Sequence, residues 1–185
     1  FKFQSNKKRP SLFEKILTIL FGYIFIPLIL SIPFYFSIYN LTFLNSFFES
    51  VSGFTSTGFS IIDNIKQIDQ SLILWRSTTQ WIGGLYFLFS IIFLIDIYDE
   101  SLKRSLTNFI SLNNSEIIKQ SVKVFILYFL ITFFIFIILE LVGLRTFNSV
   151  NLALTLISSG GFLPFNDISV ILNTDFKKIV FSILM

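Results

Sequence analysis

The sequence predicts an all-α integral membrane protein in which a unit of long helix, half-length helix and glycine loop occurs twice. Three observations lead there. Apolar residues make up 54% of the 185-residue chain and charged residues 14%, against about 45–50% and about 25% in soluble domains. Those apolar residues are clustered: residues 12–36 carry only Glu14 and Lys15, near their start, and residues 82–95 and 124–139 carry no charge. Finally, shifting the sequence so that Gly58 falls on Gly161 also lays Asn45 on Asn148, Ser46 on Ser149, Ser56 on Ser159, Phe59 on Phe162 and Ile65 on Ile168.

Each element follows in order. Residues 1–11 are polar and basic, with Lys2, Lys7, Lys8 and Arg9. Residues 12–36 meet the length of about 20 apolar residues needed to cross the hydrocarbon core, and Pro27 and Pro33 are tolerated there when neighbours satisfy the freed carbonyls. Residues 45–54 are apolar and amphipathic but give roughly 15 Å of helix, about half a bilayer, so they are re-entrant or interfacial. A loop, residues 55–59, and a polar stretch with Asp63 and Asn64 come next. Residues 72–98 form the second span, opening with Trp75-Arg76 and carrying Gly83-Gly84. A charged connector, residues 99–123, leads to a third span at 124–143. Then the half-length helix recurs at 147–157 and the loop at 158–163. The chain begins with Phe1 and ends inside an apolar run, so a fragment is expected: one complete repeat at 12–98 and a second at 124–185, cut in its last helix from Lys177.

The chain has no cysteine and no histidine. That excludes disulfides, thiol nucleophiles, imidazole bases and the usual zinc or haem ligands. With no clustered carboxylates either, acid–base catalysis has no groups to work with, and an enzyme is not expected. The net charge of +3 is spread over loops and does not point to nucleic acid. Five basic residues precede or open the first span and four lie at Lys103, Arg104, Lys119 and Lys123, against five at Lys66, Arg76, Arg145, Lys177 and Lys178. The excess of nine over five predicts a cytoplasmic N-terminus and connector, with both glycine loops opening outward.

Those loops suit cations. An ion entering a narrow pore exchanges its water for protein oxygens, often backbone carbonyls. Turning carbonyls into a pore requires unusual dihedrals, which glycine adopts without steric cost. The C-terminal end of each half-length helix adds a partial negative charge. A single Ser/Thr-Gly-Phe stretch fits an ordinary helix cap equally well; two in register fit it poorly. The hydroxyls of Thr55, Ser56, Thr57, Ser158 and Ser159 are secondary candidates beside their carbonyls.

The stretch Phe48-Glu49-Ser50-Val51-Ser52-Gly53-Phe54-Thr55-Ser56-Thr57-Gly58-Phe59, followed by Leu74-Trp75-Arg76-Ser77-Thr78-Thr79-Gln80-Trp81-Ile82-Gly83-Gly84, resembles the first pore repeat of the Trk/Ktr potassium-uptake subunits. Ile157-Ser158-Ser159-Gly160-Gly161-Phe162 resembles their second. The resemblance implies four helix–pore-helix–helix repeats around a pseudo-fourfold pore, of which this chain supplies one complete and one partial repeat. It implies K⁺ as the transported ion, with no covalently bound cofactor, and a filter built from Thr55, Ser56, Thr57, Gly58, Ser158, Ser159, Gly160 and Gly161. Ion contacts are then expected at Ser56, Thr57, Gly58, Ser158, Ser159 and Gly161. It also implies a homodimer in the cytoplasmic membrane and a cytosolic nucleotide-binding regulatory subunit. Gly58, where some sodium-selective relatives carry serine, favours potassium. Ser56 stands where threonine is more usual, and Leu163-Pro164-Phe165 is less polar than the family pattern.

Further residues have two readings each. Glu49 and Arg76 either pair behind the filter and brace it or are solvated separately at the interface. Glu140, at the outer end of the third span, is expected to reach headgroups or water. Gly83-Gly84 is expected to serve close helix packing, Gly53 to tolerate a side chain better than Gly58, and the 26 phenylalanines to face lipid. The rival functions are a secondary transporter with a broken-helix site, which predicts inverted repeats or a mid-membrane ionisable residue, and a sodium-permeable member of the same family.

Overall fold

The computed structural model describes residues 11–37, 41–98, 117–167, 169 and 171–185. Most of the N-terminal segment, the connector over residues 99–116 and Ile168 lie outside them. Every regular element among the described residues is helical.

Helix α1, Leu12–Leu30, begins at a reciprocal cap: the Ser11 hydroxyl accepts the Glu14 N–H, and the Glu14 carboxylate accepts the Ser11 N–H at 2.9 Å. It stops at Ser31, and α2, Ile32–Tyr35, continues with Pro33 in its first turn, where a missing N–H costs nothing. Together they form an apolar stretch, Phe13–Tyr35, long enough to cross a bilayer. The first short helix, α3, spans Phe43–Phe54. It starts two residues before the expected Asn45 because the Thr42 hydroxyl caps it through the Asn45 N–H. A single 3₁₀ turn at Ile65–Gln67 precedes α4, Gln70–Tyr98.

The second unit repeats the plan with α5, Ile117–Leu141, and the short helix α6, Thr146–Ile157. The last helix, α7, is Asp175–Leu184, beginning two residues before Lys177 because Thr174 caps it. Two more stretches, Gln70–Leu94 and Lys119–Leu141, are long and apolar enough to span. The outer faces of α1 and α5 expose Phe21, Phe25, Phe129 and Phe134, as lipid-facing surface would. Phe34, Phe54 and Phe162 are instead fully enclosed, so the phenylalanines serve the interior as well.

Helix α4 is the common wall: it packs on α1, α3, α5 and α6. Two apolar cores flank it. Phe34, Ile65, Ile68, Leu72 and Ile73 close the first unit at the end where α2 and the 3₁₀ turn lie, while Ile135, Leu139, Leu144, Leu152 and Ile171 close the second. Trp75 Nε1 donates to the Leu30 carbonyl at 3.0 Å, and the Ser50 hydroxyl to that of Pro27 at 2.6 Å, pinning α4 and α3 to the end of α1.

Candidate functional site: two facing glycine loops

Both short helices end alike. Ser56 and Ser159 are the two non-glycine residues with positive φ among those described, at +54° and +51°. Each occupies the left-handed position just after its helix, where glycine is the usual occupant. The glycines come later, Gly58 at φ +77° and Gly161 at +105°. A plain glycine cap accounts for neither, since the capping position is already taken by serine.

Backbone N–H groups of both loops turn back onto the helix ends. Ser56 N donates to Gly53 O at 3.0 Å, Thr57 N to Ser52 O at 3.0 Å and Gly58 N to Ser52 O at 3.4 Å. In the second loop Ser159 N donates to Leu156 O at 3.0 Å and Gly160 N to Thr155 O at 2.9 Å. A trans peptide points its C=O opposite to its N–H. The carbonyls of Thr55, Ser56 and Thr57, and of Ser158 and Ser159, therefore face away from the helices that precede them. The Thr55 and Ser158 hydroxyls bond back to helix carbonyls, at 2.8 Å from Val51 O and 3.0 Å from Leu154 O, so these two are turned toward their own helices.

The two loops meet at their glycines. A Cβ on Gly58 would lie 2.8 Å from the Gly160 carbonyl oxygen and 3.5 Å from Gly161 Cα, and one on Gly161 would lie 3.9 Å from Gly58 Cα. A cavity of about 570 Å³ adjoins the start of both loops, at Ser56 and Ser159, with Tyr23 and Tyr128 on its walls. A second, of about 220 Å³, adjoins their end, at Gly58 and Gly161, where Asp63, Asn166 and Arg76 contribute polar walls. Here Leu163 and Phe165 also line the opening, backed by the apolar core that holds Leu152. That is the physical reason the segment after the second loop is less polar. Beside it the Asp167 carboxylate is held below the usual carboxylate range by hydrogen bonds from Ser169, first its hydroxyl and then its N–H.

Of the two environments open to Glu49 and Arg76, the structure has the buried pair. Arg76 Nε donates to Glu49 Oε1 at 2.9 Å, with the side chains 2% and 0% exposed. The Glu49 carboxylate also accepts the Ser60 hydroxyl and the Ile61 N–H, and Arg76 Nη2 donates to Ser60, so the pair grips the loop exit. Arg76 also stacks its guanidinium 4.3 Å from the centre of the Phe162 ring. The repeat replaces Glu49 by Leu152, which is fully buried: the first loop is backed by an ion pair, the second by an apolar core.

At residue level one reading changes. Glu140 was expected in water or headgroups, yet its Oε1 is buried with no hydrogen-bond partner among the described residues. Gly53 is crowded as well, since a Cβ there would overlap the Thr79 hydroxyl at 2.4 Å, but that neighbour is a side chain, whereas Gly58 meets a backbone carbonyl at positive φ. Gly83 serves close packing: its Cβ would fall 1.8 Å from the Phe54 carbonyl oxygen, at the end of α3. The residue that sequence reasoning missed is Gln80, fully buried on α4, whose Oε1 accepts the Phe162 N–H at 3.2 Å. Nothing local marks it, since the contact joins positions 82 residues apart.

Fold and site together define a multi-pass helical membrane protein whose half-length helices present paired glycine loops to each other. The profile of the TrkH family, described as a cation transport protein, matches residues 3–170, and the chain belongs to that family, one of transporters rather than enzymes. It is 30% identical over 153 residues to an uncharacterized cation transporter, MJ1485, of Methanocaldococcus jannaschii, covering 74% of this chain and 31% of that protein. Over 46 residues it is 44% identical to the Trk system potassium uptake protein TrkG of Escherichia coli, covering 25% of this chain and 10% of TrkG. Among solved structures, the potassium transporter TrkH from Vibrio parahaemolyticus superimposes with a TM-score of 0.68 at 19% identity, over 95% of this chain and 36% of that one. The chain thus spans about a third of the first of these relatives and of the solved transporter.

Proposed function

We propose that the chain provides two strands of a potassium selectivity filter in a Trk/Ktr-type uptake subunit. Potassium sheds water and passes along backbone carbonyls of Thr55, Ser56, Thr57 and Gly58 on one strand and Ser158, Ser159, Gly160 and Gly161 on the other. One observation carries this reading: both loops tie their N–H groups back to a helix end through a left-handed serine, then face each other at a left-handed glycine. A helix C-terminus behind each loop favours a cation in front of it. On this reading four such repeats close a pseudo-fourfold pore in a cytoplasmic membrane, with the N-terminus and connector in the cytosol. The subunit works as a homodimer gated from below by a nucleotide-binding regulatory partner.

The test is potassium-limited growth of an uptake-deficient host expressing the full-length natural protein, with the K⁺/Na⁺ uptake ratio measured in parallel. Gly58→Ser and Gly161→Ser are each expected to lower uptake or the ratio while membrane yield holds. Wild-type uptake and ratio in both variants would reduce the loops to helix caps. The relatives' names support potassium or another cation as cargo, and the ratio decides between potassium and sodium.

A further inference from the structure

Helix α4 belongs to the first unit, yet one of its faces serves the second. Arg76, Ser77, Gln80 and Gly84 recur at the three- and four-residue spacing that lines up a helix face. Arg76 lies against the Phe162 ring. The Ser77 hydroxyl donates to Asn151 Oδ1 in α6 at 2.7 Å. Gln80 Oε1 accepts the Phe162 N–H, and at Gly84 a Cβ would stand 3.2 Å from Ser158 Cα. Of these contacts, that of Gln80 is a hydrogen bond to the loop backbone.

The Phe162 N–H shares its peptide plane with the Gly161 C=O. That plane is trans, so holding the N–H toward α4 turns the Gly161 oxygen to the opposite side, away from α4. Gly161 sits at φ +105°, where no side chain resists rotation of the plane, and its own N–H lacks the helix tether that fixes Ser159 and Gly160. An outside anchor is therefore what selects one orientation. Gln80 is fully enclosed and also presses on Gly160, where a Cβ would overlap its Cδ at 2.2 Å. This explains why the second loop has glycine where the first, with no such neighbour among the described residues, has the exposed Thr57.

We propose that Gln80 is a positioning residue that fixes the Gly161 carbonyl in the second filter strand, and so sets ion discrimination from the neighbouring repeat. This rests on the filter reading above. In the full-length natural protein, reconstituted in liposomes, Gln80→Met keeps the shape but removes the carbonyl acceptor, whereas Gln80→Glu keeps an acceptor oxygen. Gln80→Met is expected to lower the K⁺/Na⁺ uptake ratio by about two- to tenfold, the range of a single hydrogen bond, with Gln80→Glu staying within about twofold of wild type. A residue that merely fills space gives the reverse order, with Met tolerated and Glu damaging. Gly160→Ala, which displaces the same side chain from the other side, is expected to mimic Gln80→Met and serves as the reading if Gln80→Met fails to accumulate. Gly161→Ser is measured alongside. A changed ratio in Gly161→Ser with an unchanged one in Gln80→Met and Gly160→Ala overturns the role of Gln80 alone. An unchanged ratio in all of them overturns the filter reading and this inference together.

Discussion

Arg76 directs Nε and Nη2 to Glu49 and Ser60 and lays its guanidinium plane on the Phe162 ring. Such an arrangement needs the planar fork of arginine, which lysine cannot reproduce. Removing one partner of a buried ion pair leaves a charge without compensation and costs about 3–5 kcal/mol. Arg76→Ala and Glu49→Ala are each expected to lower the thermal midpoint of the detergent-purified protein, and Arg76→Lys is expected to recover little of the loss. Midpoints equal to wild type in both alanine variants would show the pair to be solvated and dispensable. The residue types at 49 and 76 were legible as candidates, but which of two environments they take depends on α3 and α4 meeting face to face. The same holds at Gly53: its neighbour Thr79 comes from another helix, and no local pattern reveals it.

The seam between α3 and α4 depends on Gly83, whose missing side chain lets the Phe54 carbonyl approach the α4 backbone. That neighbour is main chain at a helix end and cannot swing aside as a side chain would. Gly83→Ala is expected to reduce membrane yield and stability by more than the 1–3 kcal/mol typical of an overpacked site. Gly143→Ala makes an instructive contrast. Nothing lies within 4 Å of its Cβ position, but its φ is +81°, so it is expected to cost only the left-handed backbone term of about 1–2 kcal/mol. Comparable melting curves for the two would remove the packing explanation. Helix type and order were readable because spans and half-spans differ in length and charge. The starts of α3 and α7 were missed by two residues because the capping threonines, Thr42 and Thr174, precede residues that read as turn. Pairing of the two loops was announced by the repeat, while the contact between Gly58 and Gly160 was not, since a repeat states likeness and not adjacency.

For the whole molecule, the basic residues predict that the connector and the loop after the first short helix lie on opposite sides of the membrane. The chain has no cysteine, so single cysteines report cleanly. Asn64→Cys is expected to react with an impermeant maleimide on intact cells, and Asn113→Cys only after permeabilisation; the opposite pattern would invert the topology. Residues 1–185 alone are expected to give no potassium flux in liposomes, because two strands do not close a filter of four. The two strands are also unequal here: Phe162 is 2% exposed beneath α4, whereas its counterpart Phe59 is 71% exposed. This difference has a consequence for biogenesis. Chains enter the membrane from the N-terminus onward, so when the loop carrying Phe162 is made, the helix bearing Gln80 and Arg76 already stands in place to receive it. The loop carrying Phe59 is held by its own unit through Ser52, Glu49 and Arg76, but no helix among the described residues covers Phe59. On the four-repeat reading its exposed side waits for the last helices to be synthesised, and the first strand made is the last to be enclosed.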